Sequence, residues 1–407
     1  MRILAIGDVG VLDDMIHIGD EAMFDELVEQ LRRRGVDAIT AVSSQPDETV
    51  ARCGVDAVLP VGFHPAVVGD RAAQGDRMRR VLAAASGDAS QLPADDHAWG
   101  LVEAVRAADA VAIAGGGNMA SIWPMHIFER ATIGALAELF GKPLVVTGQT
   151  IGPELTGDDR DRVRTLLSSA RLVGLREGAS AELVRTLGVD PARLTQTIDD
   201  ASFVGEGREP EAGRDAAPYA AVSLASHVGD ADRDAVVSSL ARLLDSVVDE
   251  TGLEIAFLAH FAALDASVER GDSVMHRRVI DAMRSDRVRV EPTTDTPAAA
   301  AFARRASLSL SSRYHPAVFA VSAGVPTIGV AVDDYTTVKL TGALGNLGQS
   351  TVVTARSVID GTATPRALSA WHDRAETREA WASRIDDVRA ASALWWDRVA
   401  DALHGRE

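Results

Sequence analysis

MRILAIGDVGVLDDMIHIGDEAMFDELVEQLRRRGVDAITAV, residues 1–42, reads as strand, loop, helix and strand. The short apolar run Ile3–Ile6 predicts a first strand, and the longer amphipathic stretch Glu21–Arg34 predicts a helix. Gly35 stands where a left-handed C-cap falls, and Ala38–Val42 predicts a second strand. Two strands joined through a helix form the repeating unit of a parallel sheet. The alternation continues. Further strands are expected at Ala110–Ala114, Leu144–Thr147 and Leu172–Leu175, and helices at Trp99–Ala107, His126–Phe140, Asp159–Ser169 and Ser180–Leu187. Gly141 and Gly188 follow two of those helices as Gly35 follows the first.

Near residue 205 the composition changes. Gly205, Gly207, Pro210, Gly213 and Pro218 punctuate a polar stretch with the character of a linker. A second alternating set follows, with strands at Ala220–Leu224, Glu254–Ala259, Arg287–Val290, Ala306–Leu310 and Thr327–Val332. The helices between them are expected at Arg233–Thr251, Ser273–Arg284, Pro297–Arg305 and Pro316–Ala323. From Pro365 the chain reads as helical, carrying Trp371, Trp381, Trp395 and Trp396. Acidic and basic residues nearly balance there, so no polybasic face exists to hold anionic lipid, and these helices are expected to pack back on the first domain. The expected fold is α/β, with two Rossmann-like domains facing a cleft: residues 1–205, residues 206–364, and returning C-terminal helices at 365–407. In such sheets ligands bind at the carboxyl ends of the strands.

Composition bounds the function. A chain of 407 residues suits two domains, taking roughly 100–200 residues for each. Asp and Glu number 59 against 41 Lys and Arg, a formal charge of −18. That surface repels phosphate backbones and anionic lipid, so nucleic-acid binding is not expected, and an anionic substrate needs a local cluster of cations. The single cysteine, Cys53, excludes an internal disulfide or a cysteine-based zinc site and fits a reducing, cytoplasmic setting. The N-terminus reads as a strand start rather than a signal peptide, and no window has the about 20 apolar residues of a membrane span.

The residues with chemistry gather at predicted strand ends. His17-Ile18-Gly19-Asp20-Glu21-Ala22 opens the first helix, where Asp20 either caps the helix or, with Glu21, suits sugar hydroxyls better than phosphate. Gly115-Gly116-Gly117-Asn118 ends a strand, and consecutive glycines there mean backbone crowding against a ligand or a neighbouring loop. Thr147–Pro153 is expected as a polar loop with Gln149 able to donate and accept. Neither stretch is a Walker or dinucleotide motif. The sharpest cluster is Ser311-Ser312-Arg313-Tyr314-His315-Pro316. There Arg313 offers a planar fork for carboxylate or phosphate, a helix N-terminus adds attraction for anions, and His315 can donate a proton near neutrality. Arg176, beside Glu177, could serve the same anion or pair with an acid; His260, Asp272 and Lys339 occupy similar strand or loop ends. No zinc-spaced histidines and no nucleophile elbow are present, and no metal site is expected.

In order along the chain these pieces resemble the polysaccharide pyruvyl transferase family. The resemblance rests on Gly7 with Gly19-Asp20-Glu21-Ala22, Gly115–Gly117, Gly148–Pro153, Arg176-Glu177-Gly178-Ala179-Ser180, Asp200-Ala201-Ser202-Phe203, Arg313-Tyr314-His315, Gly324-Val325-Pro326, and a lysine-containing loop, Tyr335–Lys339. His17, Tyr314, Pro316, Ala201 and Thr336-Thr337 depart from the family pattern. The resemblance implies the two-domain GT-B type of fold, and transfer of the pyruvyl group of phosphoenolpyruvate onto two sugar hydroxyls as a cyclic ketal. It further implies His315 as the acid, and Arg313, Arg176 and Lys339 as phosphoenolpyruvate ligands. His17, Asp20, Glu21, Gly116, Gly117, Asn118 and Gln149 are implied on the acceptor side, in the first domain. Phosphoenolpyruvate is then a co-substrate, and no other cofactor is expected. The implied acceptor is a cell-surface polysaccharide, a glycolipid or a lipid-linked precursor reached by transient contact with a membrane. A nucleotide-sugar glycosyltransferase of the same architecture is the alternative, and a non-catalytic glycan-binding protein a third.

Overall fold

The structure, a computed structural model, describes residues 1–207 and 217–405. Pro210 and Gly213 of the expected linker lie outside the described residues. Along the chain the strands are β1 (Arg2–Val9), β2 (Met15–His17), β3 (Ala38–Ser43), β4 (Asp56–Val58), β5 (Ala110–Ile113), β6 (Gly116–Met119), β7 (Leu144–Ile151), β8 (Leu172–Leu175) and β9 (Leu194–Gln196). They continue as β10 (Tyr219–Ser223), β11 (Glu254–Leu258), β12 (Phe261–Ala263), β13 (Val288–Glu291), β14 (Leu308–Ser311), β15 (Thr327–Ala331) and β16 (Val352–Thr354). The chain divides into two compact units: Met1–Val11 with Met23–Asp200 and Ala391–Glu407, and Leu12–Ala22 with Ala201–Ala390.

The first unit is built on a parallel sheet in the order β4-β3-β1-β5-β7-β8-β9, with β6 pairing β7 outside that path. Its strands are buried on both faces, as parallel strands under helices must be. Alternation shows this directly: Leu4, Ile6, Val111, Ile113, Leu144 and Val146 join one apolar cluster, while Ile3, Ala5, Ala110, Ala112 and Val145 join the other. The helix Ile18–Arg33 places Asp20 and Glu21 in its first turn and Arg32 and Arg33 in its last, both favourable to its dipole. The strand β7 runs through Ile151, so Thr147–Ile151, expected as a loop, is sheet. It stays extended because β6 adds a second partner there, pairing Gly116 with Gln149 and Met119 with Ile151.

The second unit carries a parallel sheet in the order β13-β11-β10-β14-β15-β16. Here β14 lies between β10 and β15, Leu310 standing opposite Val222 and Ile328. An antiparallel two-stranded ribbon pairs β2 with β12, setting His17 opposite Phe261 and Met15 opposite Ala263. The expected lysine loop is helix: Asp333 caps Asp334–Asn346, accepting from the Thr336 amide while the Thr336 hydroxyl returns to the cap residue.

The tail divides between the units. Trp371 packs on the second unit's core, and the Trp381 indole donates to the Ser322 carbonyl at 3.0 Å. Trp395 and Trp396 join the first unit's cluster, Trp395 lying over Gly174 where any side chain would collide with it. Among the described residues no helix is long and apolar enough to cross a membrane.

Candidate active site

In the second unit, β14 ends at Ser311, and the helix Tyr314–Ser322 begins three residues later with Arg313 as its N-cap. The turn is locked by Ser311: its hydroxyl donates to the Arg313 carbonyl at 2.7 Å and accepts from the Arg313 amide at 3.0 Å. The Arg313 side chain is then fixed as a fork. Its Nε and Nη2 donate to Asp272 Oδ2 and Oδ1 at 2.8 and 2.6 Å. Asp272 is fully buried and also accepts from the Phe261 amide at 3.0 Å. Arg313 remains a quarter exposed, so the edge not turned to Asp272 can meet a ligand.

Three histidines surround that pair, with different chemistry. His276 accepts the Leu224 amide at Nε2, and burial is the main cause lowering it to about 4. Burial, reinforced by Arg313, His17 and His276, holds His260 well below the usual imidazole range. Both are therefore neutral at neutral pH. His315 packs near the Phe319 ring, its centroid 6.0 Å away, and against Tyr314 at 5.1 Å.

The second unit also holds His17, Asp20 and Glu21, which the sequence reading attached to the first domain. The physical reason is the ribbon: β2 pairs with β12, and the Ile18 amide donates to the His260 carbonyl at 2.9 Å, tying the start of the helix Ile18–Arg33 to this unit. His17 Nδ1 lies 3.0 Å from Asp20 Oδ2, its ring 5.6 Å from that of Phe261, and Glu21 is buried. Gly19 lies directly on the His315 imidazole, and a methyl group at this position would overlap the ring. Alanine is the better helix former by about 1 kcal/mol, so any loss in Gly19→Ala reports the clash alone. The expected result is at least about a tenfold fall in turnover with an overpacking cost below about 3 kcal/mol. Steady-state rates and thermal melts of the variant check this; parental activity would show that the ring position is immaterial.

Lys339 belongs to the same neighbourhood. Its ammonium lies 4.9 Å from the centre of the Tyr314 ring and 4.7 Å from that of Tyr335, whose hydroxyl accepts from it at 3.3 Å. His315 and Lys339 thus both meet the ring of Tyr314, the residue that follows Arg313.

The remaining candidates lie in the first unit, where several are sealed. Arg176 is fully buried: Nε donates to Thr150 and Glu177, and Nη1 to Asp199 at 2.5 Å. Two acidic side chains thereby face its single charge. Gln149 is fully buried on β7 and donates to the Ala114 carbonyl at 2.5 Å. Gly116 and Gly117 are buried in β6, and Asn118, partly exposed, donates to Asp8. The glycine run has an internal cause. The Asp200 carboxylate fits between two strand ends, so that a Cβ at Gly115 would lie 2.7 Å, and at Gly148 2.6 Å, from its oxygens. Thr147 and the Gly115 amide donate to it.

Burial, reinforced by Asp199, pushes Asp200 up to about 7, against the opposing pull of Thr147, Arg176 and Gly115. The unfolded carboxyl titrates near 3.8, so between these values the folded chain holds the additional proton. Stability from this group is therefore complete below the unfolded value and lost as pH rises through the folded one. Asp200→Asn removes the titration. Relative to the parent, the variant is expected to gain stability from pH 4 to pH 8, on the order of 4 kcal/mol. Denaturant unfolding of both proteins across that range checks it; a pH-independent difference would contradict it.

Sequence reasoning passed over His276 and left Asp272 among several residues at strand or loop ends. Only the pairing of distant segments joins them to the sites, and no local pattern marks them.

The comparisons with known proteins bear on the family and the fold. The polysaccharide pyruvyl transferase profile matches residues 17–334, most of the chain. None of the curated proteins matches. Among solved structures, the calicheamicin glycosyltransferase CalG4 superposes with a TM-score of 0.56 at 16% identity, over 100% of this chain and 98% of its own. The UDP-GlcNAc 2-epimerase of Neisseria meningitidis, bound to UDP-GlcNAc, gives 0.57 at 10% identity over 97% and 100%. The MnaA–UDP structure from S. aureus gives 0.59 at 10% identity over 93% and 92%. At such identities the likeness concerns the fold, which is the GT-B type with two Rossmann-like domains. The family match covers far more than half of the chain: this protein belongs to the polysaccharide pyruvyl transferase family and is a transferase.

Proposed function

We propose that the protein transfers the pyruvyl group of phosphoenolpyruvate onto two hydroxyls of a sugar, closing a cyclic ketal and releasing phosphate. The acceptor is a cell-envelope polysaccharide, a glycolipid or its lipid-linked precursor, modified on the cytoplasmic side. One observation carries the reading: Arg313, fixed on Asp272, and His315 follow one strand tip, and Lys339, from the helix Asp334–Asn346, lies over the ring of Tyr314 between them in the chain. Phosphoenolpyruvate has two anionic groups, and this protein carries net charge −18, so binding depends on such fixed donors. Asp272 cancels much of the Arg313 charge but aims the guanidinium. Lys339 and the helix N-terminus supply the remaining attraction.

The chemistry then assigns roles. His315 gives a proton to the methylene carbon, C3, and the electrons of the double bond form the new C–H bond. The positive charge developing at C2 is met by a sugar oxygen, whose own proton leaves to a base. The C2–O bond to phosphate breaks with its electron pair leaving on the phosphate, and a second hydroxyl adds at C2 to close the ring, its proton passing to the departing phosphate. Arg313 and Lys339 hold the carboxylate and phosphate throughout.

The test is calorimetric titration of the full chain with phosphoenolpyruvate and, separately, with UDP-sugars. Phosphoenolpyruvate is expected to bind and the UDP-sugars are not. The reverse pattern would replace this reading with a nucleotide-sugar enzyme.

A further inference from the structure

The chain leaving β10 forms a strap, residues 224–229, across the strand tip that precedes Arg313. Three successive residues fasten it. The Ala225 amide donates to Ser312 Oγ at 2.8 Å, one residue before Arg313. The Ser226 hydroxyl donates to the Gly271 carbonyl at 2.6 Å, one residue before Asp272. His227 Nε2 lies 3.2 Å from Asp333 Oδ2, and Asp333 caps the helix Asp334–Asn346 that carries Lys339. Beyond them Gly229 presses on the Val332 carbonyl, where a Cβ would lie 2.3 Å from the oxygen. In the sheet β14 stands between β10 and β15, so a pair joining the loops after β10 and β15 spans the end of β14. One loop is thereby tied to both members of the Arg313–Asp272 fork and to the Lys339 helix.

Fastening accounts for Ala225 and Ser226 but not for His227. Its side chain is 66% exposed and that of Asp333 36%, and an exposed pair of this kind adds little to stability. What the pair fixes is the imidazole. Burial would raise the Asp333 carboxyl, but Thr336 and His227 together hold it below its usual range, so it is a carboxylate and can only accept. The His227 proton facing it therefore sits on Nε2, and Nδ1 is the ring nitrogen left for a ligand. A second proton on Nδ1 makes an imidazolium that Asp333 stabilises, which is the construction of a positioned acid.

Pyruvyl transfer needs such an acid. Negative charge builds on the phosphate oxygen as the C2–O bond breaks, while His315 is engaged at C3 and Arg313 and Lys339 keep their protons. We propose that His227 is the acid that serves the departing phosphate, an inference that rests on the pyruvyl-transfer reading. The Nδ1–H bond breaks with its electron pair returning to the ring, and the proton joins the oxygen that takes the C2–O electrons. The neutral ring then accepts the proton of the second hydroxyl as that oxygen bonds to C2. The net transfer is one proton from sugar to phosphate, and Asp333 stays a carboxylate throughout.

The test compares the parent, His227→Ala and His227→Gln as full chains. Calorimetry measures phosphoenolpyruvate affinity, and phosphate release in the presence of an extract of lipid-linked glycan precursors measures turnover. Glutamine can still donate to Asp333 but has no proton to transfer, so it keeps the fastening and removes the acid. Both variants are expected to lose at least about 100-fold in turnover. Their phosphoenolpyruvate affinity should stay within about tenfold of the parent, and their melting midpoints within about 3 °C. Parental turnover in His227→Gln would reduce the residue to a fastener and overturn the inference. Loss of affinity equal to the loss of turnover would make it a phosphate ligand and overturn the proton transfer. Either result leaves the pyruvyl-transfer reading standing. Failure of phosphoenolpyruvate to bind the parent overturns that reading and this inference with it.

Discussion

His315→Ala is expected to leave phosphoenolpyruvate bound and pyruvyl transfer lost. A positioned acid contributes about 10²–10⁴-fold, so turnover should fall at least about 100-fold. The binding constant should move by less than about tenfold, because the imidazole acts on the reacting carbon and the cations hold the anion. The site geometry supports this separation: His315 packs on Tyr314 and Phe319, whereas the fixed guanidinium is that of Arg313. Phosphate release and calorimetry on one preparation read the two quantities. Loss of binding equal to the loss of rate would make His315 a phosphoenolpyruvate ligand. Unchanged turnover would remove it from the reaction.

Arg313→Ala is expected to lose phosphoenolpyruvate binding and, in addition, stability. The substitution strands the fully buried Asp272 carboxylate, and breaking one side of a buried pair costs about 3–5 kcal/mol. Partial exposure of Arg313 puts the expected loss at the lower end of that range. The two consequences can be pulled apart. In Arg313→Ala with Asp272→Asn, the buried group is neutral and can still accept from the Phe261 amide. The double variant should recover most of the stability and none of the binding. Melting curves and phosphoenolpyruvate titrations of the single and double variants measure both; recovery of binding in the double variant would exclude Arg313 as a ligand.

Much of this architecture was legible because its strands are buried on both faces and announce themselves as short apolar runs. Ile3–Ile6, Leu172–Leu175 and Ala220–Leu224 fall within or next to strands of the sheets. The cluster around Arg313 was readable for a related reason: strand tip, cap and helix start are consecutive in the chain, so one local pattern holds them. What sequence could not supply was long-range pairing. Three-residue β2 and β12 are too short to carry a periodicity, yet their ribbon assigns His17, Asp20 and Glu21 to the second unit. The glycine run at Gly115 left crowding by a ligand or by a neighbouring loop open, and at Gly115 and Gly148 the crowding group is Asp200, 85 residues beyond Gly115. Arg176 carried an equal chance of being an ion pair, and in the structure it is paired with Glu177 and Asp199.

The central claim is that this second-unit site protonates phosphoenolpyruvate and delivers its pyruvyl group to a sugar. It is tested most directly by running the reaction in D2O with phosphoenolpyruvate and an extract of lipid-linked glycan precursors. Proton NMR and mass spectrometry would then follow the ketal methyl group, and an assay the released phosphate. The expected result is phosphate release matching ketal formation, with a single deuterium in each new methyl group and neither product formed by His315→Ala. Absence of both products, while the same extract accepts a sugar from a nucleotide sugar, would contradict the claim.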